Sequence, residues 1–273
     1  NVVREREGVL YFRRPNVEVS FNEKTGKLIG LKYNGQNMIQ HREGWTLNWY
    51  RSINNDPRSW QQSETQLCTF DWKWAEDRQS IIVTSEMEVP VGKIKVPYSI
   101  IYHIYGDGKI QVNASFKTGQ DFNLPRLALQ GFFNPLENIE WYGRGPIENY
   151  QDRKNAAFIG RYKTTVTEMA EHYLRAQTMG GRCDTNWMTL SDIHGKGIKI
   201  TSIDKTFDFS ALHYTDKDLW ETKYSHSLSD IYRPEIVINI DCIQRGLGNA
   251  SCGPGPRPQY EIKPNMVYEY SFW

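Results

Sequence analysis

Paired carboxylates and six histidines are the side chains in this sequence with the right types to do chemistry. Glu148 and Asp152 stand four positions apart, and Asp216 and Asp218 two apart. Two carboxyls can split a glycosidic bond, provided they face each other across a sugar at roughly 5–10 Å. Spacing within one loop does not establish that geometry, and acids of this kind are ordinarily solvated or paired with arginine. Of His41, His103, His172, His194, His213 and His226, His103 is the candidate to test first. It falls in a strand out of phase with the apolar positions, which leaves it on an outer or concave surface. A histidine becomes an acid or base only through its geometry, so the competing role is a hydrogen-bonded structural residue.

The densest polar function lies in Trp141-Tyr142-Gly143-Arg144-Gly145-Pro146-Ile147-Glu148-Asn149-Tyr150-Gln151-Asp152-Arg153. Gly143 and Gly145 allow a tight turn or a close backbone approach, and Pro146 fixes the exit angle. Glu148, Asn149, Asp152 and Arg153 follow in an order that a bland turn does not need. Structural corner and binding loop both stay open on residue types. A second polar run, Arg51-Ser52-Ile53-Asn54-Asn55-Asp56-Pro57, closes an aromatic stretch. Its Asn and Asp either cap a turn through their own side chains or offer amides and a carboxylate to a polyhydroxylated ligand. Gly180 and Gly181, beside Arg182 and Asp184, could cradle an anion, but no helix follows to strengthen that reading.

Nearly everything that must position these groups reads as β-strand. Val17, Val19 and Phe21 run through a turn into Leu28 and Leu31 as a hairpin. Ile81, Val83, Met87 and Val89 alternate with other residues, as do Val96, Tyr98, Ile100 and Tyr102, and Val112, Ala114 and Phe116. This period of two describes a meander with one buried face. Residues 57–66 are polar and aperiodic and read as a mobile loop. Thr215 with Asp218 three residues on has the form of a capping box, which predicts one short helix. Roughly a dozen to eighteen strands with almost no helix suit an all-β sandwich. No repeat or linker divides the chain, so residues 17–273 are expected as one large domain and residues 1–16 as a lead-in.

A net charge of +1 with no dense basic run gives no phosphate track, so nucleic acid is not expected as a partner. No apolar run approaches the roughly 20 residues of a membrane span. The first residues do not read as a signal peptide and the chain does not begin with Met, which suggests an excised piece or processed product. The compartment stays open between cytoplasm and periplasm. Cys68, Cys183, Cys242 and Cys252 form no C-x-x-C pair and no cluster with histidine, which argues against a zinc site or a disulfide scaffold. Neither metal nor cofactor is expected. The 9 tryptophans suit sugar stacking as well as cross-strand core pairs.

The run from Gly143 to Arg153 matches G-x-G-P-x-E-N-Y-x-D-R at every fixed position, and in this the chain resembles the C-terminal β-sandwich of the family 2 β-galactosidases, which some bacteria encode as a separate small subunit. Trp49-Tyr50-Arg51-Ser52-Ile53-Asn54-Asn55-Asp56 is similar to that family's aromatic-x-R-A-P-x-D-N-D segment, keeping Arg51, Asn55 and Asp56. The resemblance implies a large antiparallel supersandwich like that of the galactose mutarotases, placed after a catalytic (β/α)8 barrel that holds the acid and the nucleophile. It implies no catalytic residue in this chain. Arg51, Asn55, Asp56, His103 and Cys252 are the expected rim of a sugar pocket, and residues 143–153 a supporting loop. The partners implied are the barrel or large subunit, a β-galactoside or galactose, and room for a homo-oligomer. Two departures stand out. Cys252 occupies the place where many members carry a tryptophan that stacks on the sugar, and Ala176-Gln177-Thr178-Met179-Gly180 replaces P-Q-E-N-G. A free-standing aldose mutarotase and a carbohydrate-binding or structural module are the alternatives.

Overall fold

The computed structural model describes residues 2–54, 56–249 and 252–273. Strands β1 (Val2–Arg6), β2 (Val9–Arg14), β3 (Val17–Asn22), β4 (Leu28–Tyr33) and β5 (Gln36–Asn37) form an antiparallel meander in chain order. Strand β6 (Thr46–Asn48) starts a second five-stranded sheet, and β7 (Gln66–Trp74), β8 (Ile81–Val91), β9 (Ile94–Ile104) and β10 (Ile110–Lys117) make half of a nine-stranded one. The chain then alternates between the two. Strands β11 (Arg126–Phe133), β14 (Arg182–Thr185), β17 (Phe207–Leu212) and β18 (Ile236–Gln244) complete the sheet of five, in the order β14-β17-β18-β11-β6. Strands β12 (Asn138–Gly145), β13 (Phe158–Thr165), β15 (Trp187–Ser191), β16 (Gly197–Ile203) and β19 (Val267–Phe272) complete the sheet of nine, β13-β12-β15-β16-β19-β10-β9-β8-β7.

Both five-stranded sheets lie against one face of the sheet of nine. Phe21 meets Tyr102 at 5.0 Å between ring centroids and joins the first sheet to β9. Phe207 and Phe272, at 6.4 Å, join β17 to β19. The alternation seen in the sequence supplies this core: Ile81, Val83, Val96, Ile100, Phe116 and Phe272 are all buried on the inner face. The expected antiparallel supersandwich is the fold observed.

Residues 2–14, read as a lead-in, form two paired strands of the first sheet, because Leu10 and Phe12 add buried side chains to its inner face. Residues 57–66, read as mobile, include a 3-10 turn at Arg58–Gln62. Aperiodicity hid its anchors: Trp49 donates its indole N–H to Trp60 O at 3.0 Å, and the Arg58 guanidinium lies 5.2 Å over the Trp220 ring. The predicted helix is α1 (Asp216–Glu221), with the capping box formed in both directions between Thr215 and Asp218.

Candidate functional site

Strand β18 is buried on both faces. Ile236, Ile238 and Ile240 face the core, while Asn239 and Asp241 are buried on the other side of the sheet, beside Arg126 of β11 and Asn48 of β6. Loops cover this polar layer, and every charge in it must find a partner. Arg126 donates from Nε and Nη2 to both oxygens of Asp241, at 2.6 and 3.0 Å, and from Nη1 to Asp216 at 3.0 Å. Burial opposes this charge, but the two carboxylates hold the Arg126 pKa raised. Asp216 also accepts from Asn48 Nδ2 and Thr178 Oγ1, so the layer ties the 178–181 turn to the sheet.

The 143–153 loop is built on top of this layer. Gly143 is required: a Cβ there would stand 2.6 Å from Thr185 Oγ1 and 2.8 Å from its Cα. The Gly145–Pro146 peptide is cis. Buried Asn149 donates to the carbonyls of Arg144 and Ile147 and accepts from the Cys183 N–H at 2.9 Å. Arg144 pairs with Asp184 at 2.5 Å and donates to Ala157 O. Gln151 donates to Asp208 at 2.7 Å. The loop is thus pinned through its polar groups and leaves Glu148, Tyr150 and Arg153 along one side.

That side faces a cleft of about 450 Å³, walled opposite by Leu247, Gly248, Asn249 and Cys252. Its size falls in the usual range for small-molecule sites. The walls are clasped together by Asp152, whose carboxylate accepts from the Leu247 N–H at 3.0 Å and the Gly248 N–H at 2.7 Å, while Arg153 donates to Gly248 O. Gly248 has φ +55°, and a Cβ there would come within 2.5 Å of the Gly255 carbonyl carbon. Behind this wall Arg51 donates to Asp56 at 3.0 Å and to the carbonyl of Arg245 at 2.5 Å, and Arg245 returns to Asp56 at 2.6 Å. Glu148 accepts from the Gly180 N–H at 2.9 Å and the Tyr150 hydroxyl at 3.2 Å. Burial is the main reason that its pKa is raised, with the Glu171 charge adding to it. A carboxyl held this way can exchange hydrogen bonds with a hydroxyl-bearing ligand.

Asp152→Ala is expected to remove about 2 kcal/mol, the worth of hydrogen bonds from two backbone donors to a charged acceptor. The wall should then open: limited proteolysis is expected to cut within residues 246–258 faster than in the parent chain. An unchanged cleavage rate there would contradict the clasp.

Of the expected rim, Cys252 lies on the cleft. Arg51 and Asp56 are 1% and 4% exposed and brace the wall from behind instead of reaching the opening, with burial pushing the Arg51 pKa down. Asn55 lies outside the described residues. His103 stands apart from the cleft, stacked on Tyr105 with ring centroids 4.0 Å apart. Its Nε2 is 2.9 Å from Ser80 Oγ, and the Ser80 hydroxyl donates to Asp77. Ser80 therefore accepts from Nε2–H, and Nδ1 accepts from the Tyr105 hydroxyl at 3.0 Å. Both nitrogens are occupied, burial lowers the ring's pKa, and the neutral imidazole serves as a turn clasp. Tyr150, Tyr173, Gln177 and Leu247 also line the cleft. Tyr150 sits in the motif and Gln177 in the departing 176–180 segment, so both carried a sequence signal. Leu247 lies in Gly246-Leu247-Gly248, a run also similar to that of the family 2 β-galactosidases, while Tyr173 carried no site signal.

Two solved structures share this architecture over nearly their whole length. They are the GalM/aldose epimerase homologue from C. elegans, with TM-score 0.51, 9% identity and coverage of 97% of this chain and 98% of that one, and the galactose mutarotase related enzyme from Lactobacillus acidophilus, with TM-score 0.50, 10% identity and coverage of 97% and 95%. The fold is a galactose mutarotase-like supersandwich.

The chain belongs to the β-galactosidase small chain family, whose model matches residues 13–273. Similar full-length proteins are β-galactosidases from Priestia megaterium, 24% identical over 99% of this chain and 27% of that protein, Staphylococcus xylosus, 32% identical over 64% and 17%, and Streptococcus thermophilus, 27% identical over 94% and 26%. The chain thus spans about a quarter of the length of the curated relatives that it matches end to end.

Proposed function

We propose that this chain is the non-catalytic sandwich of a family 2 β-galactosidase, which completes the rim of a galactoside pocket and packs on a catalytic (β/α)8 barrel carried by the rest of the enzyme. Glu148, Arg153 and Cys252 then offer polar atoms to the sugar, and Arg51, Asp56 and Asp152 hold the rim in shape. The observation that carries this reading is the make-up of the cleft: among the described residues lining it, Glu148 is the one carboxylate. Glycoside hydrolysis takes a pair, so the cleft has the groups of a binding rim and half of an acid/base set. Aldose mutarotation, which the fold alone would suggest, takes a general acid and a general base around the ring oxygen and anomeric hydroxyl. No histidine is among the described lining residues. A likeness of fold does not supply those groups.

Purified residues 1–273 are expected to leave o-nitrophenyl β-D-galactoside unhydrolysed, with activity appearing when the rest of the enzyme is coexpressed. Sustained turnover by the chain alone would sink the proposal.

A further inference from the structure

The outer face of the nine-stranded sheet carries a line of aromatic side chains that the core does not use. Trp141, Met188, Ile200 and Phe272 are buried on the inner face, so their neighbours Tyr142, Trp187, Thr201 and Trp273 stand on the outer one. The register sets these four in one row. Tyr142 pairs with Trp187 and Trp187 with Thr201, and Thr201 exchanges both backbone hydrogen bonds with Trp273, at 2.9 and 2.7 Å. With neighbouring strands about 4.8 Å apart, the row runs roughly 14 Å across the sheet. Tyr142 is 40% and Trp273 39% exposed, and Trp187 between them is half-buried. Past Trp273 the line continues into Tyr105, with ring centroids 5.6 Å apart. Rings spaced along a line on an open sheet fit a flat, extended ligand whose apolar faces repeat. A chain of pyranose rings has that form, since each ring pairs a C–H face with a rim of hydroxyls, and tyrosine and tryptophan pair an apolar body with a polar tip.

The charges beside the row give the sign of such a ligand. On the same face the next row is Lys163, Glu140, Thr189 and Lys199. Glu140 pairs with Arg161, which lies across from Tyr142, and not with Lys163 directly opposite. Lys163 and Lys199 are thus left without a carboxylate among the described residues of the two rows. Lys199 Nζ and the Arg161 guanidinium flank Trp187, at 5.2 and 5.9 Å from its ring centroid. Cations set against an aromatic row complement a sugar chain that itself carries carboxylates. The hydroxyls of Thr189 and Thr201 stand between the rings and the cations, where sugar hydroxyls would lie.

We infer that Tyr142, Trp187 and Trp273 form a stacking platform for an extended acidic oligosaccharide, a chain of β-linked uronate residues whose carboxylates meet Lys163 and Lys199. The platform lies on the outer face of the sheet and uses none of the residues that line the cleft, so it stands whether or not the proposed function does. The test is calorimetric titration of residues 1–273 with a β-1,4-linked tetramer of glucuronate. Cellotetraose is the uncharged counterpart, identical but for CH2OH in place of each carboxylate. At low salt the glucuronate tetramer is expected to bind about tenfold more tightly than cellotetraose, and the difference should vanish near about 1 M salt, where the charges are screened. W187A and Y142A should each weaken binding of the tetramer by about tenfold, through the lost stacking surface. K199A should weaken it by about threefold to fivefold, the range of an exposed ion pair. Circular dichroism confirms the fold of each variant, and exposed Lys199 and Tyr142 keep the test decisive if W187A misfolds. Absence of saturable binding of the glucuronate tetramer, or parental affinity in both Y142A and K199A, overturns the platform. Cellotetraose bound as tightly as the glucuronate tetramer overturns the acidic ligand.

Discussion

Arg126→Met is expected to lower the unfolding free energy by about 3–5 kcal/mol at pH 7, because it strands two carboxylates inside the protein. Asp216 and Asp241 are 5% and 2% exposed, and Arg126 is the cation bonded to both. Urea titration should show a lower midpoint at an unchanged slope. Arg126→Lys should recover part of the loss only, since a point charge on a flexible stem cannot bond Asp241 with two parallel N–H groups while also reaching Asp216. A loss below about 1 kcal/mol would place the cluster with exposed pairs and contradict its burial.

Asp208→Asn is expected to act in the opposite direction. Burial is the main reason that the Asp208 pKa is pushed up to about 6 from 3.8, and the Gln151 amide and the Asp184 N–H offset only part of it. An acid whose folded-state pKa lies above its unfolded value stabilises the fold below the unfolded value, and that contribution is lost as pH rises through the folded one. The wild-type chain should therefore lose about 2–3 kcal/mol between pH 4 and pH 7 through this group alone, at about 1.4 kcal/mol per pKa unit. Asparagine keeps the acceptor for the Asp184 N–H, and Gln151 can turn its amide to match. At pH 8 the variant should be the more stable by a similar amount, with the gap closing below about pH 4. Equal stability of the two proteins at pH 8 would show that Asp208 is better solvated than its surroundings suggest.

The sheet residues were legible because their burial follows a period of two: β8, β9 and β10 bury every second side chain, as their sequences predict. Strand β18 breaks that pattern, since Asn239 and Asp241 are polar and yet buried under loops, and alternation alone reads such positions as solvent-facing. The helix was legible because a capping box is a local device. In the site the reverse holds. The motif loop announced itself through glycine, proline and four polar residues, but the roles of those residues depend on partners far along the chain. Arg51 and Asp56 looked like groups offered to a ligand and are instead turned inward on each other and on Arg245. His103 looked free because its phase is outward, and only the bonds of Ser80 and Tyr105 show both nitrogens engaged.

The clasp of Asp152 onto Leu247 and Gly248 joins segments that are 95 and 96 positions apart. Neither wall of the cleft is a self-contained module. A loop grafted from a relative into residues 246–253 would arrive without the carboxylate that its amides face, and a grafted 143–153 segment would present that carboxylate to a mismatched backbone. Exchange of ligand preference between members of this family should therefore succeed when both segments are transplanted together, with Cys252 as the position where a single substitution can reshape the lip and leave the hinge between the walls untouched.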